Sequence, residues 1–191
     1  MIYKNLLLFA TVFSFSVTGK SQGLEFYGEN IAFELRDSIF KVTGIYYLCN
    51  TGDKEIRQIL YYPFPADSQY YGDVSFISIG TKDTLINTLR RDKGGIYFGV
   101  EIEPYKAREY IVTYQQKLLG NRAEYILETT KKWKQPIETA DYIMVIPDNL
   151  KITGISYEPD SVLTINNDLI YRWHKKNFKP DRNMIVEFQY E

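Results

Sequence analysis

One cysteine and one histidine serve the whole 191-residue chain. Cys49 has no partner for an intrachain disulfide, so an exported fold must hold together by packing. A histidine-based metal centre would need further ligands at metal-binding spacing around His174, and no motif supplies them. A Ser-His-Asp triad would have to use that same imidazole, and it has no G-x-S-x-G elbow to accompany it. A Cys49 nucleophile would need it too, as its base. The chain therefore reads as non-catalytic, and His174 as a surface residue pointing away from Tyr171 and Trp173. Excess charge is also missing: 23 basic residues face 24 acidic ones, for a net charge of -1. That balance supplies no basic face for nucleic acid.

A bilayer-spanning run is absent as well. The longest apolar stretch, Leu6 to Val17, falls short of the ~20 residues that a transmembrane helix needs. Preceded by Lys4 and followed by Gly19, Lys20 and Ser21, it has the order of a secretory signal peptide. Cleavage is expected after Ser21, with a cut after Gly19 as the alternative. Residues 1–21 hold Lys4 and Lys20 and no acid, so the 23 basic and 24 acidic residues become 21 and 24 in the chain from Gln22. The expected location is the periplasm or the exterior of a bacterium, with no transmembrane span in the mature chain.

What the chain has in quantity is aromatic residues, 16% of the total, which suit strands better than helices. Period-two alternation recurs along it. Ile96, Phe98, Val100 and Ile102 share one face, as do Tyr110, Val112 and Tyr114. Phe40, Val42, Gly44, Tyr46 and Leu48 form another, and Met184, Val186, Phe188 and Tyr190 a fourth. Tyr142 to Ile146 is apolar on both faces and reads as a central strand covered on both sides. Asn50-Thr51-Gly52-Asp53, Gly94-Gly95, Gly120-Asn121 and Asn166-Asn167-Asp168 mark turns. The pattern predicts an all-β protein, an antiparallel β-sandwich of roughly eleven strands with at most one or two short helices. A helix is an option for Asp83 to Gly94, which also reads as a strand, and a helical turn for Pro136 to Ala140. Residues 22–191 read as one domain; two stacked sandwiches with a seam near 118–121 are the alternative.

Several constellations carry a functional and a plain reading. Glu101 with Glu103, and Glu124 with Glu128, could pair as hydrolase carboxylates, but alternating acids suit a half-exposed strand. Asp67, Asp73, Asp148, Asp160, Asp168 and Asp181 sit in turns. No cofactor is expected, a structural calcium ion among these acids being the alternative. Tyr70 and Tyr71, in the loop after Phe64-Pro65, together with Trp133, form the candidate contact surface. They suit an envelope or extracellular protein partner, or a glycan if the rings stack on sugar faces.

The run Leu60-Tyr61-Tyr62-Pro63-Phe64-Pro65, then Phe98-Gly99-Val100-Glu101-Ile102-Glu103-Pro104, then Tyr110 to Leu118, resembles the VIT domain, the vault and inter-alpha-trypsin β-sandwich module. The helix that this module carries before its Pro-terminated strand is not evident in Asp83 to Gly94. Thr129-Thr130-Lys131-Lys132-Trp133-Lys134-Gln135-Pro136, followed by the strand to Pro147, is similar to a stretch in a family of uncharacterised exported bacterial β-sandwich proteins. The resemblance spans roughly residues 30–160 and implies a single interaction-type sandwich with no enzyme site. If the leader is processed as expected, N-terminal sequencing of the exported protein will start at Gln22; a product starting at Met1 would overturn the export assignment.

Overall fold

The computed structural model of the protein describes residues 23–65, 73–133 and 135–190. The leader expected at 1–21, and Tyr70 and Tyr71, lie outside these. The fold is all-β. In chain order the strands are β1 (Leu24–Arg36), β2 (Ile39–Asn50), β3 (Ile56–Pro63), β4 (Val74–Gly80), β5 (Arg90–Asp92), β6 (Gly95–Ile102), β7 (Ala107–Lys117), β8 (Arg122–Tyr125), β9 (Ile137–Pro147), β10 (Leu150–Ile155), β11 (Ser161–Ile165), β12 (Asp168–Phe178) and β13 (Met184–Tyr190).

A seven-stranded sheet has the order β11-β12-β9-β1-β2-β7-β4, and two three-stranded sheets have the orders β10-β13-β8 and β3-β6-β5. Both small sheets pack on the same face of the large one. Tyr62 of β3 and Tyr125 of β8 both reach Tyr46 of β2, and Phe98 of β6 lies against Tyr110 of β7. The alternating faces read from the sequence supply this core: Ile96, Phe98, Val100, Ile102, Val112, Tyr114, Met184, Val186 and Phe188 are all buried. Only Tyr190 of that set is exposed.

Three expectations need correction, and one open alternative, helix or strand at Asp83 to Gly94, is resolved. The large sheet is not wholly antiparallel, because β1 and β9 pair in parallel, Ile31 opposite Tyr142. These strands come from opposite halves of the chain, so no local signal announces their direction. Asp83 to Gly94 forms no helix; Leu85 makes an isolated bridge to Gly80, and Arg90–Asp92 joins β6 as an edge strand. Pro136 to Ala140 is extended as well, since Ala140 is held between Glu29 of β1 and Lys175 of β12. Tertiary pairing overrides the local preference at both places. The one helical turn described is a 3₁₀ turn at Glu128–Lys132. Lastly, β9 is central but covered on one face only. Tyr142, Met144 and Ile146 are buried while Ile143 and Val145, pointing the other way, are half-exposed.

Turn chemistry sets the hairpins. Asp37-Ser38 and Asn166-Asn167 take positive φ at both positions, 47° and 61°, then 49° and 67°. This is the backbone that a two-residue hairpin needs to match strand twist. Asn50, buried, organises the turn after β2: its Oδ1 accepts from Gly52 N at 2.9 Å and its Nδ2 donates to Lys54 O at 2.7 Å and Ile102 O at 3.0 Å. One side chain thereby ties the large sheet to β6.

Under the large sheet lies a hydroxyl-linked tyrosine cluster. Tyr46 Oη bonds both Tyr62 Oη at 2.7 Å and Tyr125 Oη at 2.8 Å. Burial pushes all three phenols well up from their ordinary range. Gly44 makes room for this arrangement, since a Cβ there would sit 2.3 Å from Tyr46 Oη. Gly44→Ala is expected to lower stability in urea unfolding by about 1–3 kcal/mol. That loss should be less than additive with Tyr46→Ala; full additivity would show that the two residues do not share the space.

Candidate functional site

The face of the large sheet turned away from the small sheets carries a groove of about 500 Å³. Its origin is a parity change in β1. Leu24 and Phe26 are buried, and so are Ile31, Phe33 and Leu35, although the two sets differ by an odd number of positions. The ladder to β2 slips between Phe26 and Gly28, making Tyr27 the extra residue of a β-bulge. Beyond the bulge Glu29 turns inward, and Asn30 and Ala32 turn outward.

Strand register then assembles two rows across the outer face. In one, Ser161, Arg172, Ile143, Ala32 and Thr43 lie side by side on successive strands. In the next, His174, Asp141, Asn30 and Ile45 do the same. Short side chains at Ala32 and Thr43 keep the middle low, with Ile143 and Ile45 as apolar flanks. Arg172, His174, Asp160 and Ser161 raise one wall. On the other side Tyr47 Oη accepts from Asn30 Nδ2 at 2.9 Å.

The charges of the wall are mostly committed. His174 Nδ1 lies 2.6 Å from Asp141 Oδ1. Asp160 accepts from the His174 backbone N at 2.6 Å and from Lys175 Nζ at 3.1 Å, and these donors hold its carboxyl below the usual carboxylate range. Arg172 is different: it is exposed, lines the groove and forms no ion pair among the described residues. The site thus offers one uncommitted guanidinium beside an apolar floor, suited to a carboxylate or other planar anion.

Beneath the floor, Glu29 is only 1% exposed and accepts a hydrogen bond from Tyr142 Oη. Burial pushes its carboxyl up to about 7 against the opposing pull of that hydrogen bond. Tyr142 is itself a neighbour of the groove, so this acid–phenol pair supports it from below.

Of the residues singled out in the sequence, Trp133 is half-buried, its ring 5.6 Å from that of Phe26 on the core side of the sheet. It is not brought to the groove. His174 is on the surface as expected, and its ring is paired with Asp141 alone among the described residues. Glu101 is exposed and pairs with Arg57 at 3.5 Å, while Glu124 accepts from Asn183 at 2.7 Å. The turn acids are dispersed: Asp168 pairs with Arg36 at 2.6 Å and Asp181 with Arg182 at 3.0 Å. Among the described residues no three His, Cys, Asp or Glu side chains converge as metal ligands. No helix among them is long and apolar enough to cross a membrane. The groove itself went unread in the sequence. Its signals were the parity change after Phe26 and the two-sided apolar pattern of Tyr142 to Ile146.

No family model matches the chain, and no curated protein does. Solved structures do. A protein from Legionella pneumophila, provisionally described as nutrient binding, superposes with a TM-score of 0.71 at 12% identity over 88% of this chain and 67% of that one. An M1 zinc metallopeptidase from Deinococcus radiodurans gives 0.54 at 8% identity, over 87% of this chain and 43% of that chain. The likeness is one of fold.

Glu29 makes stability depend on pH. Between the ordinary value of 4.5 and about 7, the folded protein keeps a proton that the unfolded chain has released. Raising pH through that window therefore removes stability, on the order of 3 kcal/mol in all, and lowering it restores what was lost. Glu29→Gln should match the parent in urea unfolding at about pH 4.5 and exceed it at about pH 8. Equal stabilities at both pH values would show that Glu29 is not held neutral.

Proposed function

We propose that the protein is an exported, non-catalytic binding domain that takes a carboxylate-bearing ligand or partner segment on the outer face of its large sheet. The observation that carries this reading is Arg172, an unpaired guanidinium standing beside the apolar strip of Ile143, Ala32 and Ile45. A carboxylate would take the fork of Arg172, and an attached apolar body would cover the floor. A donor on the ligand would find Asp141, which His174 orients without using all of its lone pairs.

Two further considerations favour binding over catalysis. The single imidazole is bonded to a carboxylate with no hydroxyl or thiol on its ring among the described residues, so no nucleophile is activated there. The nutrient-binding description of the Legionella protein and the VIT-type resemblance of the sequence both belong to binding modules. The leader-like segment is the ground for placing the protein in the periplasm or outside the cell. The envelope or extracellular partner expected from the sequence would then present a free carboxylate, as an amino acid or the end of a peptide does.

Free amino acids and short peptides, each compared with its amide, provide the test in thermal-shift and calorimetric titrations. Carboxylates are expected to raise the melting temperature where their amides do not. Arg172→Gln should weaken binding by about tenfold or more, and Glu101→Gln, on a different sheet, should leave it unchanged. Failure of every carboxylate to bind, or equal binding by Arg172→Gln, would overturn the assignment.

A further inference from the structure

The edges of the three sheets are not treated alike. β4 is interrupted by a bulge, its ladder slipping between Ser75 and Ser78 with Phe76 at a φ of 50°. β5 is three residues long and reads Arg-Arg-Asp. β3 carries Arg57 and ends on Pro63, β8 is a four-residue strand carrying Arg122 and Glu124, and β10 slips between Ile152 and Gly154. Charge, proline, shortness and bulges are the usual means of blocking edge-to-edge pairing. β11 has no charge, proline or register slip within its span. Its five residues, Ser-Val-Leu-Thr-Ile, are uncharged and all exposed, with Val162, Leu163 and Ile165 exposed by 46%, 42% and 46%.

The geometry points to β11 as the docking edge for a second copy of this chain, the two β11 strands pairing antiparallel about a two-fold axis at Leu163. The register follows from the hairpin. Ile165 and Asp168 close the two-residue turn Asn166-Asn167 and exchange their hydrogen bonds. Bonding alternates along an antiparallel ladder, so Leu163, opposite Ile170, also turns its N–H and C=O towards β12. Val162 and Thr164 turn theirs outward. For a strand whose outward groups lie at 162 and 164, pairing centred on either residue leaves the other opposite a residue beyond the strand. Both positions are satisfied within the strand when Val162 meets Thr164 of the other copy. That places Leu163 opposite Leu163 as a non-hydrogen-bonded pair, with side chains at their closest.

Charge agrees with this register. Ser161 then faces Ile165, and no residue of 161–165 is charged, so no like charges are opposed within the pairing. Each closed pair satisfies both partners equally, as a two-fold interface requires. The contact is narrow, below the roughly 1,200 Å² of a standard specific interface, so the dimer is weak and concentration-dependent. Ser161 and Arg172 belong to the same cross-strand row, and pairing at β11 would therefore join the outer faces of two copies into one surface. This inference rests on the sheet edge and stands apart from what the groove binds.

Sedimentation of the purified protein from roughly 5 to 500 µM tests the proposal. The parent is expected to shift from monomer to dimer, while Leu163→Lys and Thr164→Pro stay monomeric with melting temperatures near the parent's. Thr164→Pro removes an outward N–H and leaves the hydrogen bonds to β12 intact, so it keeps the test decisive if the lysine disturbs the hairpin. In a Cys49→Ser background, Leu163→Cys should form a disulfide-linked dimer under mild oxidation, and Phe76→Cys, on the opposite edge, should not. A parent that remains monomeric throughout overturns the proposal, as do edge variants that dimerise like the parent.

Discussion

Tyr27, the extra residue in β1, sets which side of the large sheet every later residue of that strand occupies. Upstream of it Leu24 and Phe26 enter the core; downstream of it Ile31, Phe33 and Leu35 do so. A one-residue slip in a strand exchanges its two faces completely. Without the bulge, the core would have to take up either Leu24 and Phe26 or the downstream trio, and the other set would meet water. The bulge satisfies both and leaves Glu29 as the residue caught inside. Asn30 and Ala32 are correspondingly delivered to the outer face, where their small size shapes the groove.

The interior tolerates this carboxyl because its neighbourhood is phenolic as well as aliphatic. Tyr142 donates to it directly, and the Tyr46–Tyr62–Tyr125 cluster bonds to itself beneath the same sheet. Phenols contribute large apolar surfaces and one polar handle each, so they fill a core while satisfying polar neighbours. This accounts for the use of so many tyrosines in a chain with one cysteine. The tyrosine hydroxyls also link strands of all three sheets, with Gly44 providing the space in which Tyr46 can reach two others.

Much of the fold was legible because alternation is a local property. Ile96 to Ile102 and Tyr110 to Tyr114 read as strands from spacing alone, and each proved to bury the face expected of it. What was hidden depends on partners remote in sequence. The parallel pairing of β1 with β9 joins residues near 31 to residues near 142, and no spacing rule reports on it. The groove has the same origin, since its rows run from Thr43 through Ala32 to Ile143 and Arg172. The two-sided hydrophobicity of β9 predicts a second covering layer, and here its outward residues Ile143 and Val145 supply a half-exposed floor instead. Trp133, a contact-surface candidate in the sequence, is half-buried and packs against Phe26.

Parallel pairing also governs how the chain reaches this structure. The β1–β2 hairpin closes through two residues, Asp37 and Ser38, and can form as soon as both strands exist. β1 then waits for β9, which follows β2 through β8 in the chain, before its other edge is covered. Entropy lost in closing so long a loop must be met before the pairing repays it, and topologies of this kind fold at the slow end of the range. Until then the strand at the centre of the finished sheet is an open edge. The molecule is accordingly most vulnerable to misassembly while its second half is still unpaired, at the place that becomes its most protected.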